Sequence, residues 1–286
     1  MEQHHHHQKI QHHRVYIASA LGLVGLVLLS LFAAYYTNSR DPLSRFFKSI
    51  YPASFVGGRS ISLLARDNAQ TVALAFDAKA SNNAAMEQLI TTSKKQQLLS
   101  SLGVTVTPQD VKGELEYFQA GKENQYQELV QKYFNGNEGL FTDLVIVPRV
   151  YDSLLAIHYN SDFKLNKSSY AKAQDILAKA KAGSNFEDLA LGSDDKVSGQ
   201  LGGDLGFVSE NQILPELAAK LKILPAGEAY DEIIISRLGY HILYLAEASQ
   251  QDGKKLYHLK HILIQTSGFD QWLTQQLNQI SVWRVK

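Results

Sequence analysis

Cysteine is absent from this chain of 286 residues, and neither sign of charge predominates. Without cysteine the chain has no disulfide, no thiolate metal site and no cysteine nucleophile. The 28 lysines and arginines balance 28 aspartates and glutamates, and no basic block follows the first 14 positions. This balance argues against nucleic acid as the main partner. A phosphate-binding loop and zinc-ligand spacing are also lacking, so we predict no cofactor and no metal.

Charged residues are missing from residues 15–36 as well, a run of 22 positions. As a helix it would cross roughly 30 Å of hydrocarbon, so we predict a single transmembrane helix. Aromatic residues typical of membrane interfaces stand at its ends: Tyr16, Tyr35 and Tyr36. The length of the run and its bulky ends favour a retained anchor over a cleaved signal peptide.

The anchor divides the N-terminal part of the chain into a cytoplasmic tail, residues 1–14, and a juxtamembrane segment, residues 37–50. Flanking charge does not fix the orientation. Phe46, Phe47 and Ile50 can either lie on the membrane surface or pack on the following domain. Six histidines stand in the tail: His4 to His7, His12 and His13. A disordered tail or tag remnant is the preferred interpretation, and metal binding is the alternative.

Two histidines near the C-terminus lie inside apolar runs that are typical of β-strands, His241 in Gly239–Ile242 and His261 in Leu259–Ile264. The Asp252-Gly253 pair between the runs predicts a hairpin. An odd-length loop centred near Gln251 would place both histidines on one face of adjacent antiparallel strands, about 5 Å apart if directly opposed. A single strand histidine is usually a packing residue, so the pair is judged with its surroundings.

Helices are predicted between the anchor and this hairpin. Thr107 is expected to cap a helix that starts at Pro108, and Asn166 to cap a later one. Pro148 is expected to kink a long helix. The predicted helical ranges are 84–102, 108–119, 125–134, 137–158 and 171–182.

Residues 168–246 carry the motifs of a known family. The most specific is Gly202-Gly203-Asp204-Leu205-Gly206-Phe207, which follows Ser193-Asp194-Asp195. Further motifs in the same order are Gln212–Leu217, Leu224–Glu228, Ser236 and Gly239–Ile242. In order and spacing, this stretch resembles the parvulin family of peptidyl-prolyl isomerases.

The resemblance departs from the family at one place. Parvulins usually begin with a strand of the form Ala-Arg-His-Ile-Leu-Ile, whereas Pro148–Asn166 reads as a helix, which makes His158 a decoy. Leu259–Ile264 supplies such a strand at the other end. We therefore infer a circular permutation, in which His261 takes the place of the first-strand histidine. The alternative is a domain that lost this histidine and carries an unrelated C-terminal strand.

The resemblance implies the site residues. Asp195, His241, His261 and Ser236 would be catalytic, and Asp204 would bond backbone amides rather than substrate. Ile213, Leu217 and Leu238 would form the apolar proline socket, with Phe207 as a further substrate-binding residue. The family usually carries Met, Phe and Phe at the three socket positions, so we expect weak or altered proline binding.

A second resemblance surrounds the first. Pro52–Ser62, Met86–Thr107 and Phe269–Trp283 resemble the SurA- and PrsA-type chaperone domains. The predicted fold is thus α+β. It comprises a helical chaperone domain (51–166 with 267–286), closed by a C-terminal helix and strand, and an isomerase domain (167–266) with a four-stranded antiparallel sheet. Tyr117, Phe118 and Tyr126 are core residues in one interpretation and line a groove for unfolded chains in the other.

The predicted function is a membrane-anchored foldase. It would isomerise X-Pro bonds and bind unfolded or nascent secreted polypeptides, with the N-terminus cytoplasmic and the bulk of the chain outside the cell membrane. One alternative is a holdase whose isomerase domain only binds peptide. Another is a structural partner of an export machine.

Overall fold

A computed structural model describes residues 23–35, 41–251 and 253–285. The predicted cytoplasmic tail, its histidines and the first part of the predicted span lie outside these residues. The described residues form two compact units, one within residues 1–93 and 281–286 and the other within residues 94–280. The predicted domain boundaries at 166/167 and 266/267 stay a prediction.

The first unit contains a small antiparallel sheet and short helices. Its elements are α1 (23–35), α2 (Pro42–Ile50), β1 (Pro52–Val56), β2 (Arg59–Ser62), α3 (Leu63–Phe76), the first part of α4 (Asn82–Ser101) and β8 (Val282–Arg284). The strand order is β2-β1-β8, so the C-terminal strand pairs with the predicted opening strand. No helix within the described ranges is both long enough and apolar enough to cross a membrane.

The second unit begins with helices. They are the rest of α4, α5 (Pro108–Gln119), α6 (Glu123–Phe134), α7 (Glu138–Phe141), α8 (Val147–Asn160) and α9 (Lys167–Lys181). Thr107 caps α5 as predicted, because its hydroxyl accepts the Asp110 N–H while the Asp110 carboxylate accepts the Thr107 N–H. The predicted start of this helix at Pro108 is confirmed.

The predicted long helix runs from Glu138 to Asn160 through α7, a π-helical turn (Thr142–Ile146) and α8, and Pro148 lies just after the π-helical turn, in the first turn of α8. The kink at Pro148 stays a prediction, whereas the predicted cap at Asn166 is wrong. Asn166 stands at the start of α9 but its side chain does not cap it. The Asn166 amide instead donates to the carbonyl oxygens of Tyr159 and Asp162.

The rest of the unit forms an antiparallel sheet with helices on both faces. Its elements are α10 (Phe186–Ala190), α11 (Lys196–Gln200), β3 (Asp204–Val208), a 3₁₀ turn (Glu210–Gln212), α12 (Pro215–Leu221), β4 (Glu228–Ala229), β5 (Ile234–Ser236), β6 (Gly239–Gln251), β7 (Lys254–Gln265) and α13 (Phe269–Asn278). The strand order is β3-β7-β6-β4, and β5 also pairs with β6. The sheet therefore has five strands, not the predicted four.

The strands β6 and β7 alternate between two cores. On one face, Tyr240, Ile242, Ile262 and Ile264 pack with α9 and α10. On the other face, apolar side chains pack with α12: Leu243, Leu245, Tyr257 and Leu259. Because side chains alternate along a strand, His241 and His261 belong to the face that carries α12.

Candidate active site

The two strand histidines lie side by side. His241 pairs with Leu263 and His261 pairs with Leu243, so the histidines are diagonal neighbours on one face. Their ring centroids are 5.7 Å apart with 26° between the planes, and both side chains are buried. The predicted shared face is confirmed. The two histidines are not directly opposed, because each of them pairs with a leucine.

A β-bulge creates this shared face. The hairpin loop between the paired residues Gln251 and Lys254 is two residues long, not odd as predicted. An unbroken register from that loop would pair His261 with Tyr244. His261 would then lie on the opposite face of the sheet from His241. The register shifts by one residue between Leu245 and Glu247, and this shift brings the two imidazoles together.

Asp195 holds the outer end of the pair. Its Oδ2 atom is 3.0 Å from His261 Nε2, and its Oδ1 atom accepts the Val197 N–H at the start of α11. The Ser198 hydroxyl donates to Asp195 Oδ2 over 2.7 Å and lies 2.9 Å from His261 Nε2. The carboxylate is 29 % exposed, so it is the polar group of the network that a substrate can reach.

Ser236 holds the inner end. Its buried hydroxyl lies 2.8 Å from His241 Nε2 and accepts the Leu238 N–H over 2.9 Å. The structure thus joins all four predicted catalytic residues in one chain of contacts, which reads Asp195, His261, His241 and Ser236.

The hydroxyl groups of Ser198 and Ser236 indicate which ring nitrogen of each histidine carries the proton. Ser198 gives its proton to Asp195 and therefore accepts from His261 Nε2–H. The Ser236 hydroxyl proton has His241 Nε2 as its acceptor, which leaves the His241 proton on Nδ1. Neither Nδ1 atom has a hydrogen-bond partner among the described residues. The Nδ1 atom of His241 thus carries a hydrogen, and the Nδ1 atom of His261 carries a lone pair.

The charges of the network follow from burial. Burial lowers the pKa of His241 to about 3, and the neighbouring His261 lowers it as well. Burial also lowers the pKa of His261, although Asp195 opposes this change. The Ser198 hydroxyl and the hydrogen bond from His261 hold the pKa of Asp195 below its ordinary value. At neutral pH the network is one carboxylate beside two neutral imidazoles.

The predicted substrate-binding residues are not all brought together. Ile213 and Leu217 are buried in the α12 core, and Leu238 is 45 % exposed. Phe207 is half exposed but lies on the opposite face of the sheet, where its ring stacks on His258 at 4.9 Å. Of these four, Leu238 is the exposed residue next to the network.

Asp204 behaves as predicted and forms a second histidine–carboxylate pair away from the site. It accepts the Gly206 N–H over 2.7 Å, and its carboxylate is 3.0 Å from His258 Nε2. The decoy His158 lies on α8 near Trp272. Ser198 was missed by the sequence reasoning, although its place three residues after a helix-capping aspartate was a usable signal.

Comparison with known families identifies part of the chain. Residues 154–247 match the rotamase family, described as the PPIC-type PPIase domain. This stretch contains Asp195, Ser236 and His241, and it ends before β7 and His261. This part of the chain thus matches a parvulin-type peptidyl-prolyl isomerase domain, as predicted.

Relatives among known proteins share only part of their length with the chain. Chaperone SurA of Alcanivorax borkumensis is 36% identical over 97 residues, which are 33% of this chain and 22% of the relative. Chaperone SurA of Chromohalobacter salexigens is 31% identical over 118 residues, 41% of this chain and 26% of the relative. The chain thus spans about a quarter of the length of these relatives.

Two solved structures show a weak overall likeness. The foldase protein PrsA of Lactococcus lactis matches with a TM-score of 0.30 and 14% identity, covering 80% of this chain and 84% of that one. The peptidylprolyl isomerase PrsA of Bacillus anthracis matches with a TM-score of 0.22 and 18% identity, covering 68% and 86%. These TM-scores are too low for either likeness to support an argument.

Proposed function

We propose that the chain catalyses cis-trans isomerisation of X-Pro bonds in unfolded or nascent secreted polypeptides. The observation that carries the proposal is the contact chain from partly exposed Asp195 to buried Ser236, of which three residues lie in the stretch that matches the parvulin-type isomerase domain. The relatives named as chaperones support the binding of unfolded clients.

The reaction requires neither a nucleophile nor a metal ion. Rotation about an X-Pro amide breaks no bond, and it is slow because the planar amide resists twisting. A catalyst therefore has to bind the twisted amide better than the planar one. Asp195 is the charged group placed to act on the changing amide dipole. The neutral histidine pair and Ser236 fix the position and charge of that carboxylate.

We also propose the circular permutation. The strand β7 lies between β3 and β6, whereas the family match ends in β6. A strand from beyond the matched residues thus supplies His261 to the site.

A holdase is the second candidate, and one observation favours it. Ile213 and Leu217 are 6% and 3% exposed, so the predicted socket between them is filled by core packing. A proline ring would then have Leu238 as its apolar contact, which suits peptide binding with little catalysis.

A refolding experiment with the full chain separates the two candidates. We expect the chain, in detergent, to accelerate the proline-limited phase of a denatured client in proportion to its concentration. The rate should be level from pH 7 to 8.5, because the network's lowered pKa values place any loss on the acid side. An unchanged slow phase together with suppressed client aggregation would decide for the holdase.

We further propose attachment to the cell membrane, with the bulk of the chain on the extracytoplasmic side. The helix α2 supports this because it buries polar residues and exposes apolar ones. Its polar residues Ser44 and Lys48 are buried, whereas Leu43, Phe46 and Ile50 are each about 60% exposed. Polar residues inside and apolar residues outside are the pattern of a helix that faces lipid.

The helix α1 also exposes apolar residues. Its buried residues are Ser30 and Ala34, and the Ser30 hydroxyl lies 2.6 Å from the Tyr51 hydroxyl. Exposed apolar residues cover the rest of the helix: Leu23, Val24, Leu26, Val27, Leu28 and Leu29. Both helices thus offer apolar surface where a bilayer is proposed.

Since the chain has no cysteine, single introduced cysteines can test this surface. We expect an environment-sensitive dye on Phe46→Cys to shift to the blue and resist iodide quenching in phosphatidylethanolamine–phosphatidylglycerol vesicles. The matched control Ile223→Cys, 64% exposed, should be quenched freely. Equal quenching at both positions would refute the lipid contact, and shielding without vesicles would indicate a protein contact instead.

A further inference from the structure

The turn between β5 and β6 is tied to the helices that precede the isomerase core. Arg237 stands in this turn between Ser236 and Leu238. Its Nη2 atom donates to Glu114 Oε2 over 2.6 Å, and its Nε atom donates to Glu216 Oε1 over 3.2 Å. The guanidinium therefore bridges α5 and α12.

Both carboxylates are fixed by a second helix. Glu114 is 1% exposed and also accepts Arg149 Nε over 2.8 Å, while Glu216 accepts the Ser153 hydroxyl over 2.9 Å. Arg149 and Ser153 both belong to α8. Buried charges are stable only when they are paired in this manner, so the bridge has little freedom to move.

The backbone of the turn is held independently. Asn160, at the end of α8, is 1% exposed and donates its Nδ2 hydrogen to the Ser236 carbonyl over 2.8 Å. The Thr266 hydroxyl donates to Asn160 Oδ1, and the Tyr240 hydroxyl donates to the Asn160 carbonyl. The Asn160 contact thus holds the backbone of Ser236, and the ion pairs of Arg237 hold the next residue of the turn.

We propose that Arg237 is a positioning residue for the isomerase site and that α5 and α8 are structural parts of the isomerase. Arg237 aligns Ser236 with His241 and presents Leu238 to the substrate. The working isomerase would then need residues from Glu114 onward, not the stretch that begins at residue 167. This inference rests on the proposed isomerase function.

The experiment compares two arginines that share one carboxylate. Arg237→Gln and Arg149→Gln each remove one ion pair to Glu114. Arg237→Gln also removes the ion pair to Glu216, and only Arg237 belongs to the turn. We expect Arg237→Gln to lower kcat/KM for an X-Pro peptide about tenfold in the folded full chain, since small misplacements are costly. Arg149→Gln should keep kcat/KM, and Arg237→Lys should recover part of the loss.

A spectroscopic measurement separates positioning from a loss of stability. The ¹⁵N imidazole shifts of His241 should report loss of the Nδ1–H tautomer in Arg237→Gln but not in Arg149→Gln. Unchanged shifts and unchanged kcat/KM in Arg237→Gln would overturn the positioning role while the isomerase function stands. If the unmodified chain shows no isomerase activity, the proposed function fails and the His241 shifts alone decide on positioning.

Discussion

Replacing Asp195 by asparagine is expected to lower kcat/KM for an X-Pro peptide by about 100-fold, because an electrostatic group aimed at the reacting amide is lost. The amide keeps the size of the carboxylate but removes its charge beside His261. The measurement is kcat/KM at constant pH and constant detergent concentration. The variant should first be shown to have the same circular dichroism spectrum as the unmodified chain.

The fold should survive this change. Asp195 caps α11 through the N–H groups of Val197 and Ser198, and asparagine caps helices as well as aspartate does. Any loss of activity therefore reports on the charge rather than on the helix.

Asp204→Asn is the matched control for this experiment. Asp204 also lies 3.0 Å from a histidine of β7, but the pair with His258 is on the opposite face of the sheet. We expect kcat/KM to stay within about twofold, because a substrate at the Asp195 site does not meet this carboxylate. Similar losses in Asp195→Asn and Asp204→Asn would mean that the site has been assigned to the wrong face.

Sequence patterns predicted the parts of the site that rest on alternation and capping. The apolar runs around His241 and His261 predicted the hairpin, and Thr107 with Pro108 predicted the start of α5. The shared face was expected from an odd-length loop, but it arises from the bulge. Both patterns depend on neighbours within a few residues. A bulge changes the parity of a hairpin through one residue of no special type, so the register could not be predicted in the same way.

Other misses have a similar cause. The strands β4 and β5 have only two and three residues, too few to show alternation, so no sequence pattern corrected the four strands that the resemblance implied. Glu114 and Arg237 are 123 positions apart, and no local pattern links such residues. The buried state of Ile213 follows from packing with α12 and β6, which a strand or helix pattern does not contain.

The Gly-Gly-Asp-Leu-Gly motif is more than a turn signal, since its second glycine bears directly on the site. Gly203 has φ +78°, and its carbonyl accepts the His261 N–H over 2.8 Å. A Cβ atom on Gly203 would lie 2.5 Å from the His261 carbonyl oxygen, which is backbone and cannot rotate away. Any larger residue must therefore push β7 away from β3 at His261.

We expect Gly203→Ala to lower the free energy of unfolding by about 3 kcal/mol or more, through left-handed strain plus the clash. Gly206→Ala is the matched control, because Gly206 has φ +68° in the same motif but open space around it. Strain alone should cost that variant about 1 kcal/mol. Urea denaturation measures both values, and equal losses would show that the contact between Gly203 and His261 does not constrain the strand. If the Gly203 variant does not fold at room temperature, both variants can be compared at low temperature with an X-Pro peptide bound. The free energy of unfolding is then measured on folded protein for both glycines.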